Sequence, residues 1–216
     1  MSATSSDGHI FDLDGVLWNS NSLHKLTIEA ICQNNSLIPL PYETLAGKPS
    51  NEVFRLILAA NNHKPHDFDL VTMLTREKQS AFLDLASSGN IKIQNLEVIQ
   101  EISKFKPCAL VSGASLNTVE LYLKLLGSNP FECVLTGQNF KPKPSPEGFL
   151  KAAAGLGFAP NNCTVYEDSE NGLDAADKGG FNYYHMYGDW SESCQTRHLE
   201  KTSLLGCHKE LIDLLL

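Results

Sequence analysis

Asp12 and Asp14 stand two residues apart, just before Gly15, at the end of a short apolar run that begins at His9. A carboxylate such as Asp12 can attack phosphorus as a nucleophile. A second acid such as Asp14 can give a leaving alkoxide the proton it needs, and general acid help is worth about 10²–10⁴-fold. Attack on a phosphate dianion is opposed by charge, since two unit charges ~4 Å apart cost about 4 kcal/mol at an effective dielectric near 20. A cation must offset that repulsion. Asp168, with Glu167 beside it, adds to Asp12 the hard oxygen donors that suit Mg²⁺. Lys143 brings a fixed positive charge, and Ser112, followed by Gly113, brings a hydroxyl donor for phosphoryl oxygens.

These residues follow segments that read as strands. From residue 107 onward, short apolar runs alternate with helical stretches. Cys108 to Ser112 precedes Leu116 to Leu126, where Leu116, Val119, Tyr122, Leu123 and Leu126 share a side. Cys133 to Gly137 precedes a helix from Pro146, Cys163 to Asp168 precedes Asn171 to Lys178, and Phe181 to Met186 closes the series. This alternation predicts an α/β fold: a mostly parallel sheet with right-handed crossovers and helices on both faces. Ser145-Pro146 reads as a helix start, with Ser as cap and Pro as first helical residue. His9 to Leu13 supplies one more strand, unusually polar at its start for a central one. In open parallel sheets ligands bind outside the carboxyl ends of the strands, so all four polar segments can converge there.

Residues 20 to 87 read instead as helices. Their stripes are Leu23, Leu26, Ile31, then Val53, Leu56, Ile57, Ala60, then Met73, Leu74, Phe82, Leu85. Loops at Pro39-Leu40-Pro41 and Asn61 to Pro65 separate them. A helical insert therefore interrupts the α/β domain after its first strand. It enters near Trp18-Asn19-Ser20 and leaves near Ser87-Ser88-Gly89, where small and polar residues suit a hinge.

With 216 residues, 42% of them hydrophobic and 19% charged, the chain is long and apolar enough to bury a sizeable core and is not a disordered sequence. Its formal net charge of -8 argues against nucleic-acid and anionic-membrane partners, which need a basic surface. An anionic small substrate then needs local cations or a metal. The cysteines Cys32, Cys108, Cys133, Cys163, Cys194 and Cys207 form no C-x-x-C pair. Cys108, Cys133 and Cys163 begin apolar runs and read as small buried residues. His63-Lys64-Pro65-His66 reads as an exposed loop, since zinc sites want three or four ligands. Trp18 and Trp190 are single aromatics without a stacking pattern. The start MSATSSDGHIF shows no signal-peptide pattern, and no apolar run approaches the ~18 residues of a membrane span. A soluble, reduced, cytoplasmic monomer is expected.

Taken singly, each motif has an ordinary reading. Asp and Gly at a strand end are turn chemistry, and Glu167-Asp168-Ser169 is an acidic helix start favoured by the macrodipole. Their conjunction, in this order at four strand ends, resembles the haloacid dehalogenase superfamily. The likeness is to its phosphatase and β-phosphoglucomutase-like branch with an α-helical cap. It is carried by Phe11-Asp12-Leu13-Asp14-Gly15-Val16-Leu17, the run into Ser112, Lys143-Pro144-Ser145-Pro146-Glu147 and Val165-Tyr166-Glu167-Asp168-Ser169. Asn171-Gly172-Leu173-Asp174-Ala175-Ala176 and Gly179-Gly180 extend it. The resemblance implies a Rossmann-like core over 1–17 and 90–216 and a helical cap over 18–89. It implies Asp12 as nucleophile, Asp14 as general acid/base, and Ser112, Gly113 and Lys143 as phosphate-binding residues. Mg²⁺ would be held by Asp12, the main-chain carbonyl of Asp14 and Asp168, with Glu167 close by or in contact.

The resemblance also discriminates among reactions. Asp14 suits an ester leaving group that needs a proton, and the dehalogenase and phosphonatase branches lack such an acid. Ser50 stands where phosphonatases place a Schiff-base Lys and β-phosphoglucomutase-like enzymes an Arg for a second phosphate; Lys48 is the nearest cap cation. His24 matches a cap-hinge His of those mutases, while Asn19-Ser20 and Gln94-Asn95 replace the family's Asp-Ser and Pro-Gly. The expected function is a Mg²⁺-dependent phosphatase acting on a small phosphorylated metabolite, a sugar or polyol phosphate, through an aspartyl-phosphate. The alternatives are a hexose-phosphate mutase and a non-catalytic binding protein with the same fold.

Overall fold

The computed structural model describes residues 7–64, 67–88, 93 and 95–186. Pro65, His66, Gly89, Gln94, Trp190, Cys194 and Cys207, and the expected insert boundary at 89 and 90, lie outside the described residues. The chain divides into two compact units, residues 1–19 with 93–216, and residues 20–92.

The first unit is built on a five-stranded parallel sheet. Its strands are β1 (Gly8–Phe11), β2 (Cys108–Val111), β3 (Cys133–Leu135), β4 (Cys163–Glu167) and β5 (Asn182–His185), in the order β3-β2-β1-β4-β5. Helices lie on both faces. β1 is central, paired with β2 and β4, so every side chain in it must be buried. Ile10 points into a core with Val111, Val165, Phe149, Ala152 and Ala176. His9 and Phe11 face the other way. Phe11 stacks on Tyr166 with ring centroids 4.5 Å apart. His9 is fully buried because Tyr166 Oη lies 3.0 Å from its Nδ1, which resolves the polar start of a central strand.

Four helices of this unit matter to the site. Among the described residues they are α4 (Leu96–Ile102), α5 (Leu116–Leu126), α6 (Glu147–Leu156) and α7 (Glu170–Gly179). The expected start of α6 shifts by one residue: Pro146 takes the cap position, and Ser145 Oγ accepts from the Glu147 N–H at 3.4 Å. α4 begins at Asn95, which holds φ 57 and donates its side-chain amide to the Val16 carbonyl at 2.5 Å. Asn tolerates this left-handed conformation better than other residues with a Cβ, so Asn95 serves where the family's glycine is replaced.

The second unit holds α1 (Asn21–Asn34), α2 (Ser50–Ala60) and α3 (Phe68–Ser87) around Ile28, Ile31, Phe54, Ile57, Val71 and Leu74. The buried stripe of α3 is Val71, Leu74, Lys78, Phe82 and Ala86, and Met73 is 41% exposed. Leu26 and Leu56, expected on buried stripes, are also exposed. Among the described residues no helix is long and apolar enough to cross a membrane. Cys32, Cys108 and Cys163 are buried free thiols and Cys133 is half-buried.

Candidate active site

The turn after β1 sets the first side chains. The Asp12 N–H donates to the Tyr166 carbonyl at 3.0 Å, which extends the β1–β4 ladder by one residue. The chain then folds back: Leu17 N and Trp18 N both donate to the Leu13 carbonyl at 2.9 Å, and Gly15 N donates to the Trp18 carbonyl at 2.8 Å. Gly15 holds φ +83, a conformation that glycine adopts without steric cost. A Cβ at Gly15 would overlap Asp168 Oδ2, so the turn after β1 and the end of β4 meet through this glycine.

Lys143 ties the same two strand ends together. Its ammonium donates to Asp12 Oδ1 at 2.5 Å and to Glu167 Oε1, and lies 5.0 Å from the centroid of the Phe149 ring. Its link to Pro144 is a cis peptide. Glu167 is 1% exposed. Its second oxygen, Oε2, accepts from the Ser169 N–H at 2.8 Å and from the Ser169 hydroxyl at 2.9 Å. Asp12, Glu167 and Asp168 each bring one carboxylate oxygen within 4.8 Å of the others.

The charges of this cluster do not balance. Burial pushes the Asp12 carboxyl above its ordinary range; Lys143 opposes this, and Glu167, Asp168 and Asp14 add to it. Burial pushes Asp168 up to about 7, with Glu167 and Asp14 reinforcing the shift. Burial alone would lower the Lys143 ammonium's pKa, but Asp12 and Glu167 outweigh it and hold the pKa above its usual value. Four carboxyl groups thus share one ammonium, and the site favours further positive charge. Oxygen donors in excess of their cations, with Asp168 held close by the gap at Gly15, fit a divalent metal such as Mg²⁺.

Lys143 contacts Asp12 and Glu167, these two and Asp168 bring carboxylate oxygens together, and Asp14 is within electrostatic range of Asp12 and Asp168. Ser112 is buried at the end of β2, where its Oγ accepts from the Ala114 N–H at 3.0 Å; Gly113 is exposed. Asn19 is exposed at the edge of the first unit, and Ser20 is buried. In the helical unit, Lys48 pairs with Glu52 at 3.3 Å. His24 stacks on Phe82 and lies 2.8 Å, Nδ1 to Nζ, from the buried Lys78. The sequence patterns do not single out Lys78 beside His24, Phe149 beside Lys143, or Ser169 beside Glu167. Lys78 was detectable as a lysine at the i+4 spacing of an apolar stripe, between Leu74 and Phe82. Phe149 gave no such signal.

The family model for haloacid dehalogenase-like hydrolases matches residues 7–180, and the chain belongs to that family. It is 26% identical over 182 residues to fructose-1-phosphate phosphatase YqaB of Escherichia coli (strain K12), covering 80% of this chain and 92% of that protein. It is 24% identical over 185 residues to a phosphorylated carbohydrates phosphatase of Thermotoga maritima, covering 83% of each. Among solved structures it is similar to β-phosphoglucomutase from Clostridium difficile, with a TM-score of 0.71 and 25% identity over 82% of this chain and 83% of that one.

Proposed function

We propose that the chain is a Mg²⁺-dependent phosphatase that hydrolyses a small phosphorylated metabolite, a sugar or polyol phosphate, through an aspartyl-phosphate on Asp12. The observation that supports this reading best is the contact of Lys143 with Asp12 and Glu167, beside Asp168, at the carboxyl ends of β1 and β4. The nucleophile, a phosphoryl-binding cation and a hard-oxygen metal set stand together. The relatives named as sugar-phosphate phosphatases support the substrate class.

In this reading an Asp12 carboxylate oxygen forms a bond to phosphorus as the bond to the leaving oxygen breaks. Asp14 gives its proton to that oxygen, so the product leaves as an alcohol. Asp14, now a carboxylate, then takes a proton from a water that attacks phosphorus, and inorganic phosphate departs as Asp12 regains its charge. Lys143 and Ser112, with Gly113 after it, face the phosphoryl oxygens. Asp12, Asp168 and the main-chain carbonyl of Asp14 would hold Mg²⁺, which when bound supplies positive charge against the phosphate dianion.

A second reading, a hexose-phosphate mutase, draws on the likeness to β-phosphoglucomutase. It needs a cation for a second phosphate. In the helical unit Ser50 opens α2, Arg55 is exposed and Lys48 is paired with Glu52. We favour hydrolysis. Phosphate release from a panel of sugar and polyol phosphates, with Mg²⁺ and then with excess EDTA, tests it: release that stops on chelation and resumes with Mg²⁺ is expected. Conversion of glucose 1-phosphate to glucose 6-phosphate faster than phosphate appears would replace the phosphatase with the mutase.

A further inference from the structure

Ser169 touches neither Asp12 nor Lys143, yet it fixes the carboxylate beside them. Its hydroxyl donates to Glu167 Oε2 and at the same time accepts from the Gly172 N–H at 3.1 Å, as the N-cap of α7. Its own N–H donates to the same Oε2. On the other side of the carboxylate lies Gly172, where a Cβ would overlap Glu167 Oε1. Glu167 is therefore held on three sides: two donors on Oε2, the Lys143 ammonium on Oε1, and a backbone wall.

We propose that Ser169 is a positioning residue: by locking Glu167 it makes that carboxylate the standing counter-ion of Lys143 and not a ligand of the metal. Placing Oε2 on a metal would break its two hydrogen bonds in a buried setting, which is costly, and Oε1 is already engaged by Lys143. Lys143 needs such an anchor, because an ammonium on a flexible four-carbon stem has no preferred direction of its own. Asp12 cannot be the anchor throughout, since on the proposed pathway its carboxylate becomes an acyl phosphate, a mixed anhydride, and no longer carries the carboxylate charge. Glu167 forms no bond to phosphorus on that pathway. It holds the ammonium over the Phe149 face, where Lys143 meets the phosphoryl group. Asp168, which no lysine, arginine or histidine reaches at ion-pair distance among the described residues, is left to the metal.

The kinetic part of this inference rests on the phosphatase reading; the placement of Lys143 does not. The test compares wild type, Ser169→Ala and Ser169→Thr, each checked by its melting temperature. In metal-free protein, reductive methylation followed by peptide mass spectrometry reads how accessible each lysine is. Lys143 should react about tenfold faster in Ser169→Ala and within about twofold of wild type in Ser169→Thr, which keeps the hydroxyl. Lys78, buried in the other unit, should not change. With Mg²⁺ and a hydrolysed sugar phosphate, kcat/KM should fall roughly tenfold in Ser169→Ala and be restored in Ser169→Thr. The rise in melting temperature on adding Mg²⁺ should persist in Ser169→Ala. Unchanged Lys143 labelling, an equal rise at Lys78, or loss of the Mg²⁺ effect would each overturn the proposal. A wild-type protein that releases phosphate from no substrate would sink the phosphatase reading while leaving the labelling comparison intact.

Discussion

The carboxylate of Asp168 occupies the space that a Cβ on Gly15 would fill. The end of β4 and the turn after β1, far apart in sequence, are thereby brought close enough for Asp168 and Asp12 to share an ion. Gly15→Ala is expected to displace Asp168 and to strain a backbone held at φ +83. Backbone strain of this kind costs about 1–3 kcal/mol, which the fold should survive. The measurement is the melting temperature with and without Mg²⁺, alongside turnover. The variant should fold but lose both the Mg²⁺-dependent rise and activity. A normal Mg²⁺ response would contradict the account of this glycine.

Metal binding should depend on pH in a set direction. The Asp168 carboxyl titrates near 7, raised first by burial and then by Glu167 and Asp14. Below that pH a bound metal must displace its proton. Calorimetric titration with Mg²⁺ at pH 8, 7 and 6 should show affinity falling with pH, by up to ~tenfold per unit for one displaced proton. Protons should be released in the acidic titrations. Equal affinity at pH 8 and 6 would rule out Asp168 as the titrating ligand.

His9 predicts an acid instability separate from the site. Burial lowers its pKa from 6.5 to about 4; Asp7 opposes this and Lys106 assists it. The unfolded chain then takes up a proton between pH 6.5 and 4 that the folded chain refuses. His9 therefore costs nothing above 6.5, and roughly 3 kcal/mol of stability is lost as pH falls to 4. His9→Asn keeps an acceptor near Tyr166 Oη without titrating. Its melting temperature should lie below wild type at pH 7.5 and close the gap at pH 4.5. A constant gap would mean that His9 is not buried in its neutral form.

The architecture is legible in the sequence because the strands at 108, 133 and 163 are short, mostly apolar runs, each leading to polar residues beyond its carboxyl end. β4 and its Glu167-Asp168 end fall where the run CTVYED placed them. Helix faces were less legible. Counting apolar residues put Met73 inside and ignored Lys78, whose neighbour His24 lies on α1, 54 residues away. The role of Glu167 was undecided for the same reason. Adjacent acids in a motif look alike, and it is the contacts of Glu167 with Lys143, Ser169 and the Gly172 backbone, against those of Asp168 with Gly15, that distinguish them.

Lys48 tests the helical unit. On the proposed reading Lys48, which pairs with Glu52 at 3.3 Å, adds charge to substrate binding and takes no part in the chemical step. Lys48→Ala should raise KM more than it lowers kcat. A kcat loss at unchanged KM would assign Lys48 to the chemical step.

The most direct test of the central claim is turnover by Asp12→Asn. The substitution keeps the size of the side chain and an acceptor for Lys143, but removes the attacking charge. Phosphate release should fall roughly 10³-fold or more, with a melting temperature close to wild type. Near-normal phosphate release by purified, folded Asp12→Asn protein would contradict covalent catalysis at Asp12.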